Sequence, residues 1–220
     1  MQTLSHLPVI FNGLAPGYSP KMPYGNALLD GPVAGGEAEA CAPANSTEWL
    51  NQLTIEIHAV LKHKYFVCHG EDQGDGSTPQ AIAFRLYHFA SMMLDYDPAR
   101  TVYESYFSTG ASNLGVQPES WVVPQRPDKP SVFQTSDLLK ASGVYGRSYT
   151  ACYVWGKLVG PCGVLVNATS HTASYPWNAL RYRHTLVLAG SGVYDGATAR
   201  ANGPAPPSSM AAFSGEVVFP

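Results

Sequence analysis

Between Leu186 and Gly203 the chain reads LVLAGSGVYDGATARANG, an apolar run that meets glycines at 190, 192 and 196 and then resumes as small residues. Glycine accepts positive φ and lets another backbone come close, so this spacing predicts strand, tight glycine turn, strand. The same spacing excludes two ligand loops. A Walker loop needs a lysine followed by Ser or Thr after its last glycine, and a dinucleotide fingerprint needs a helix to open there. Here Ala197, Thr198, Ala199 and Arg200 follow Gly196, and Gly203 and a proline cluster come next, too short and interrupted for a crossover helix.

The rest of the composition agrees with a turn-rich, mainly β chain. There are 21 glycines and 18 prolines in 220 residues, with 13 tyrosines and only 13% charged side chains. That length has room for one good core. Net charge is near −3 without a run of Lys or Arg, so the electrostatic footprint of a nucleic-acid or anionic-lipid binder is missing. No window approaches eighteen apolar residues, and no membrane span is expected. The N-terminal apolar patch contains Pro8 and lacks a basic flank, unlike an intact signal peptide. Cys41, Cys68, Cys152 and Cys162 form an even set with no C-x-x-C spacing. For Cys152 three states stay open: a small buried hydrophobe, a nucleophile, or a hairpin disulfide to Cys162 across Gly156 to Gly160. Sequons at Asn45-Ser46-Thr47 and Asn167-Ala168-Thr169 leave the compartment open, a secreted form included.

Residues 1–47 carry six prolines among many glycines and no lasting apolar period, so an irregular N-terminal arm is expected there, with one β-domain over 48–220. Ser46, Thr47 and Glu48 would cap a helix starting at Trp49, yet Leu53, Ile55, Ile57, Ala59 and Leu61 also alternate at period two, and both readings of 49–64 stand. His69 to Pro79 reads as a polar loop. Gln80 to Leu94 alternates through Ile82, Phe84, Leu86 and His88, which favours a strand, and Thr101 to Ser108 reads as another. The C-terminal third is the cleanest: Gly146–Trp155, Cys162–Thr169, Leu180–Ala189 and Ala211–Phe219 each alternate, as four strands of a meander that closes into a barrel or pairs into a sandwich.

Three of these stretches, VFQTSDLL (Val132 to Leu139), GRSYTACYVW (Gly146 to Trp155) and the glycine segment at Leu186 to Gly203, carry a resemblance to the allene oxide cyclase and dirigent barrels over roughly Gln80 to Pro220. Ala189-Gly190-Ser191-Gly192 stands where that family has its glycine turn, followed by Tyr194 and Gly196-Ala197. The resemblance implies an antiparallel eight-stranded barrel behind the irregular N-terminal extension, with a lumen that shapes a small hydrophobic molecule rather than attacking it. It places the family's mid-strand cysteine on Cys152 and its first-strand acidic residue on Glu56, with His58 where the family has asparagine.

Read from the residues alone, Tyr182 and His184 share the apolar face of their strand, as polar groups of a ligand cavity or as satisfied core residues. The expected ligand-binding set is therefore Cys152, Tyr182, His184, Glu56 and His58. His58, His63, Cys68 and His69 are the densest group of candidate metal ligands, but no metal site is expected, because His58 and His63 are five apart and Glu71, Asp72 and Asp75 lack a closing glutamate. Nor is a cofactor. The expected function is binding of a small hydrophobic molecule, with steering of its cyclisation or coupling if the protein is an enzyme of cyclase or isomerase type. The alternative is a secreted or surface structural β-domain that acts through protein partners, and a homo-oligomer is compatible with either. An open cavity around Tyr182, His184 and Cys152 would favour the first, and dense packing there the second.

Overall fold

A computed structural model describes residues 8–14, 29–38, 41–109, 117–127, 138–174, 182–190 and 198–220. Over these residues the chain is mainly β, with two α-helices. Strands β1 (Ile10–Asn12), β2 (Gly35–Ala38), β3 (Tyr65–Asp75) and β4 (Thr101–Thr109) form a parallel sheet in chain order. Helix α1 (Ser46–Leu61) joins β2 to β3, and α2 (Pro79–Met92) joins β3 to β4. Two strands of this layer thus come from within residues 1–47.

The 49–64 segment is helical because its start is well capped. Asn45, one residue before the expected cap, accepts hydrogen bonds on Oδ1 from the amides of Thr47 (3.0 Å) and Glu48 (3.1 Å), and Glu48 adds an acidic side chain to the positive end of the helix. Trp49, Leu53 and Ile57 then fall on one buried face. The strand expected over Gln80 to Leu94 is instead helix α2. Thr78 caps it by accepting from the Ala81 amide, and Pro79 occupies the first turn, where its missing N–H costs nothing. The period misleads because the last turns, Tyr87 to Met92, are buried all round. β3 also runs on to Asp75 through most of the segment expected as a loop.

The second layer is antiparallel. β5 (Val122–Pro127), β6 (Leu139–Ala141), β7 (Val144–Val154), β8 (Lys157–Asn167), β10 (His184–Thr185) and β14 (Ser214–Phe219) assemble in the order β10-β14-β8-β7-β5, with β6 also on β7. β7 and β8 form a hairpin whose two-residue turn, Trp155-Gly156, has positive φ at both positions (51° and 71°), the geometry that matches strand twist. The expected meander order is not found: the last strand, β14, inserts between β8 and β10. Leu180–Ala189 divides as well, β10 staying on β14 while β11 (Val187–Ala189) pairs with β12 (Thr198–Arg200). β9 (Ala173–Ser174) and β13 (Ser209–Met210) form a further small pair. Among the described residues no sheet closes on itself.

Strand, connection, strand is what the Leu186–Gly203 segment makes: Ala189 pairs with Thr198, and Gly190 leaves β11 at φ 76°. Gly192, Tyr194 and Gly196 lie outside the described residues, as does most of VFQTSDLL.

Helix α2 is sandwiched between the two layers. A Cβ on Gly215 of β14 would lie 2.6 Å from Ala90 Cβ and 2.7 Å from the Leu86 carbonyl, so only a bare backbone lets the strand rest on the helix. Trp49, Phe66, Phe89, Met92, Tyr149, Val164 and Val217 share one apolar cluster across both layers. Each such side chain is worth about 1.5–3 kcal/mol when fully buried.

Candidate functional site

The parallel layer has two unlike faces. Phe66, Cys68 and Gly70 of β3, with Thr101 and Ser105 of β4, are buried, whereas Tyr65 and Val102 are 40% and 48% exposed and Ile10 is 43% exposed. Register puts Asn12, Glu37, Val67 and Val102 side by side on the exposed face, with His69 and Glu104 paired one step further along. Four adjacent strands thus each present one polar side chain on a common face: Asn12 and Glu37 near the ends of β1 and β2, and His69 and Glu104 inside β3 and β4.

Glu37 and His69 are a close pair. His69 Nδ1 lies 3.2 Å from Glu37 Oε1, with the side chains 19% and 28% exposed. Glu37 thus sets a carboxylate beside one ring nitrogen of the His69 imidazole. The register partner of His69, Glu104, adds a second acidic group.

Behind this pair, on the helix side, Cys41 and Cys68 form a disulfide. His88 of α2 lies with its Nδ1 3.6 Å from Cys41 Sγ, and a Cβ on Gly70 would meet the same nitrogen at 3.0 Å. Burial, helped by His69, pushes the His88 imidazole down to about 3, so it is neutral at ordinary pH.

Two further polar groups are wholly interior. Arg85 Nε pairs with Glu119 Oε1 at 3.0 Å with neither side chain exposed, while Arg85 also donates to the carbonyls of Gly76 and Gly190. Tyr103 Oη lies 3.3 Å from Glu119 Oε1 and 3.2 Å from the Arg85 carbonyl. Burial and then the Glu119 charge raise the Tyr103 phenol, and burial raises Glu119 against the pull of Arg85. On the other side of α2, burial and then the charge of Asp95 push the Glu56 carboxyl well above its usual range, and burial pushes Asp95 up to about 7 against the pull of Arg147. Arg147 donates to the Leu94 carbonyl at 2.9 Å, and Tyr149 Oη donates to the Met93 carbonyl. Closed to solvent, both groups brace the two layers.

The residues expected from sequence are not gathered into one site. Cys152 is buried in a disulfide with Cys162. Tyr182 packs into a small cluster with Val144, Leu165, Ala173, Met210 and Val218, its Oη 3.1 Å from Ser148 Oγ. His184, half-buried, sits with Nδ1 3.0 Å from the Gly203 carbonyl. Glu56 and His58 are two apart on α1 and so diverge: Glu56 is buried, and His58 faces solvent 3.1 Å from Asp30. Where His58, His63, Cys68 and His69 looked dense in sequence, the helix and strand separate them. Among the described residues no three His, Cys, Asp or Glu side chains are grouped to hold a metal ion. The shallow depression beside the antiparallel sheet, about 430 Å³, is lined by Val159, Arg200, Ala201, Asn202, Phe219 and Pro220.

Sequence reasoning passed over Asn12, Glu37 and Glu104 and weighed His69 only as a metal ligand. The signal was there in the alternation Tyr65, Val67, His69 against Phe66, Cys68, Gly70, which puts His69 on the outer face of a strand that follows a capped helix. Comparison with protein-family models, with curated proteins and with solved structures returns no match to the chain.

Proposed function

We propose that the chain binds a polar, hydroxyl-bearing ligand on the open face of its parallel layer and moves protons on it, with Glu37 and His69 as the acid–base pair and Glu104 as a second carboxylate. One observation carries this reading: the 3.2 Å Glu37–His69 pair on adjacent parallel strands, on the face that the helices leave open. In this reading Glu37 holds its carboxylate beside the imidazole, His69 exchanges the proton, and Asn12 and Glu104 flank the ligand.

A panel of p-nitrophenyl glycosides, esters and phosphates tests this. The wild type turns over one class, and Glu37→Gln and His69→Ala each lower kcat by about a hundredfold or more while the melting temperature is retained. No turnover of any class, or full activity in both variants, overturns the proposal.

The second reading keeps the small hydrophobic molecule but seats it in the shallow, mostly apolar depression next to β14, where His184 pairs with Phe219. Stabilisation by a fatty-acid or phenolic panel, lost in a Phe219→Ser variant, would favour it over the acid–base site.

A further inference from the structure

We infer that the Cys41–Cys68 disulfide is the positioning element of the Glu37–His69 pair, an inference that rests on the acid–base reading of that site. Ala38 and Cys68 are register partners, and Glu37 and His69 are their immediate chain neighbours, preceding and following them. The pair stands on the open face and the disulfide on the buried one, Cys68 next to His69 in the chain and Cys41 four residues after Glu37. Cys41 lies just beyond β2, so the bond ties the exit of that strand to β3 at the level where the two functional side chains meet.

β2 is only four residues long, so few ladder bonds set its register between β1 and β3. A register slip or a rotation of its last residue would move Glu37 away from His69, and a misplacement of about 1 Å is enough to cost a large factor in rate. The covalent tie removes that freedom. His88 completes the support: buried and neutral, it lies against Cys41 Sγ and fills the space left by the missing side chain of Gly70, which directly follows His69. Behind the catalytic pair the wall is therefore built of a disulfide and an imidazole, both shut off from water.

Two crosslinks in one chain give a matched control. Cys152–Cys162 ties β7 to β8 in the antiparallel layer, away from the pair. The experiment compares Cys41→Ala/Cys68→Ala with Cys152→Ala/Cys162→Ala, both assayed well below their melting temperatures on the chromogenic class that the wild type turns over. Expected for the first variant is a fall in kcat of about tenfold or more with KM little changed and a shifted pH profile, while the control keeps kcat and profile. Equal kcat in both, with the wild-type profile, overturns the inference.

A second readout needs no substrate. The imidazole Cε1–H resonance of His69 in the proton spectrum, assigned with His69→Gln, should broaden or split in the first variant and stay sharp in the control. If no substrate class is turned over but the resonance responds in this way, positioning stands and the catalytic reading falls. A sharp, unmoved resonance in both variants removes the positioning role itself.

Discussion

The two layers invert the usual rule. Parallel sheets are ordinarily covered on both faces and antiparallel ones wetted on one. Here the parallel layer leaves Ile10, Tyr65 and Val102 open to solvent, whereas the antiparallel layer is buried on both faces from Val144 to Tyr149 and from Cys162 to Asn167. The difference separates the work of the two layers. The antiparallel layer and α2 supply a dry core, and the parallel layer uses that support to hold polar groups on a face that stays wet.

The sharpest way to break this contrast is to remove a buried charge that braces the layers. Arg85→Met leaves Glu119 fully buried and unpaired and should cost about 3–5 kcal/mol in urea unfolding, with Arg85→Met/Glu119→Leu recovering most of it. A single-variant loss below about 1 kcal/mol would show that water reaches the pair. The crosslinks come next. Loop closure over sequence separations of 27 and 10 residues predicts losses of about 3.5 and about 2.7 kcal/mol for the Cys41/Cys68 and Cys152/Cys162 alanine pairs. A loss in kcat confined to the first pair, beyond this small difference in stability, would locate function in the parallel layer.

A pH scan probes the contact between the layers. Asp95, ordinarily near 3.8, is pushed up to about 7 by burial, so its contribution is fully present below about pH 3.8 and is lost as pH rises through about 7. Glu56 moves in the same direction, as does Glu216, pushed by burial to about 7. The melting temperature should therefore fall between pH 4 and pH 8, and Asp95→Asn should flatten that slope; a steeper slope in the variant would refute the assignment. The smallest effects belong to local geometry. Asn45→Ala removes the α1 cap and should cost about 1 kcal/mol. Gly156→Val puts a β-branched residue at φ 71° and should cost about 1 kcal/mol or slightly more. The cap variant should loosen the parallel layer and the turn variant the antiparallel one, as separate patterns of hydrogen exchange.

The antiparallel layer was legible because its strands announce themselves locally. Tyr149, Tyr153 and Trp155 alternate with Thr150, Cys152 and Val154, and the turn between β7 and β8 carries its glycine. Strand order was not legible, because the placing of β14 between β8 and β10 depends on Gly215 fitting against Ala90 and Leu86, a contact between residues more than a hundred positions apart. Helix α2 was obscured for a related reason. Buried between two layers, it keeps no polar stripe, so Ile82, Phe84 and Leu86 imitate a strand, and only Thr78-Pro79 marks its start. The candidate site was hidden by its own construction: Asn12, Glu37, His69 and Glu104 come from four strands spread over some ninety residues, and only parallel register brings them level.

Arg85 also bears on how such a chain can be rearranged. From one helix it binds a carbonyl at Gly76, next to β3, and another at Gly190, where the chain leaves β11. A guanidinium anchored at both places, and paired with Glu119 just before β5, ties the parallel layer to the segments around β5 and β11. The parallel layer is therefore not a portable module, and a gene fusion or circular permutation that parts Gly76 from Gly190 would strand a buried cation. Such rearrangements should be tolerated only where the cut leaves Arg85, Glu119 and both carbonyls in one folded piece.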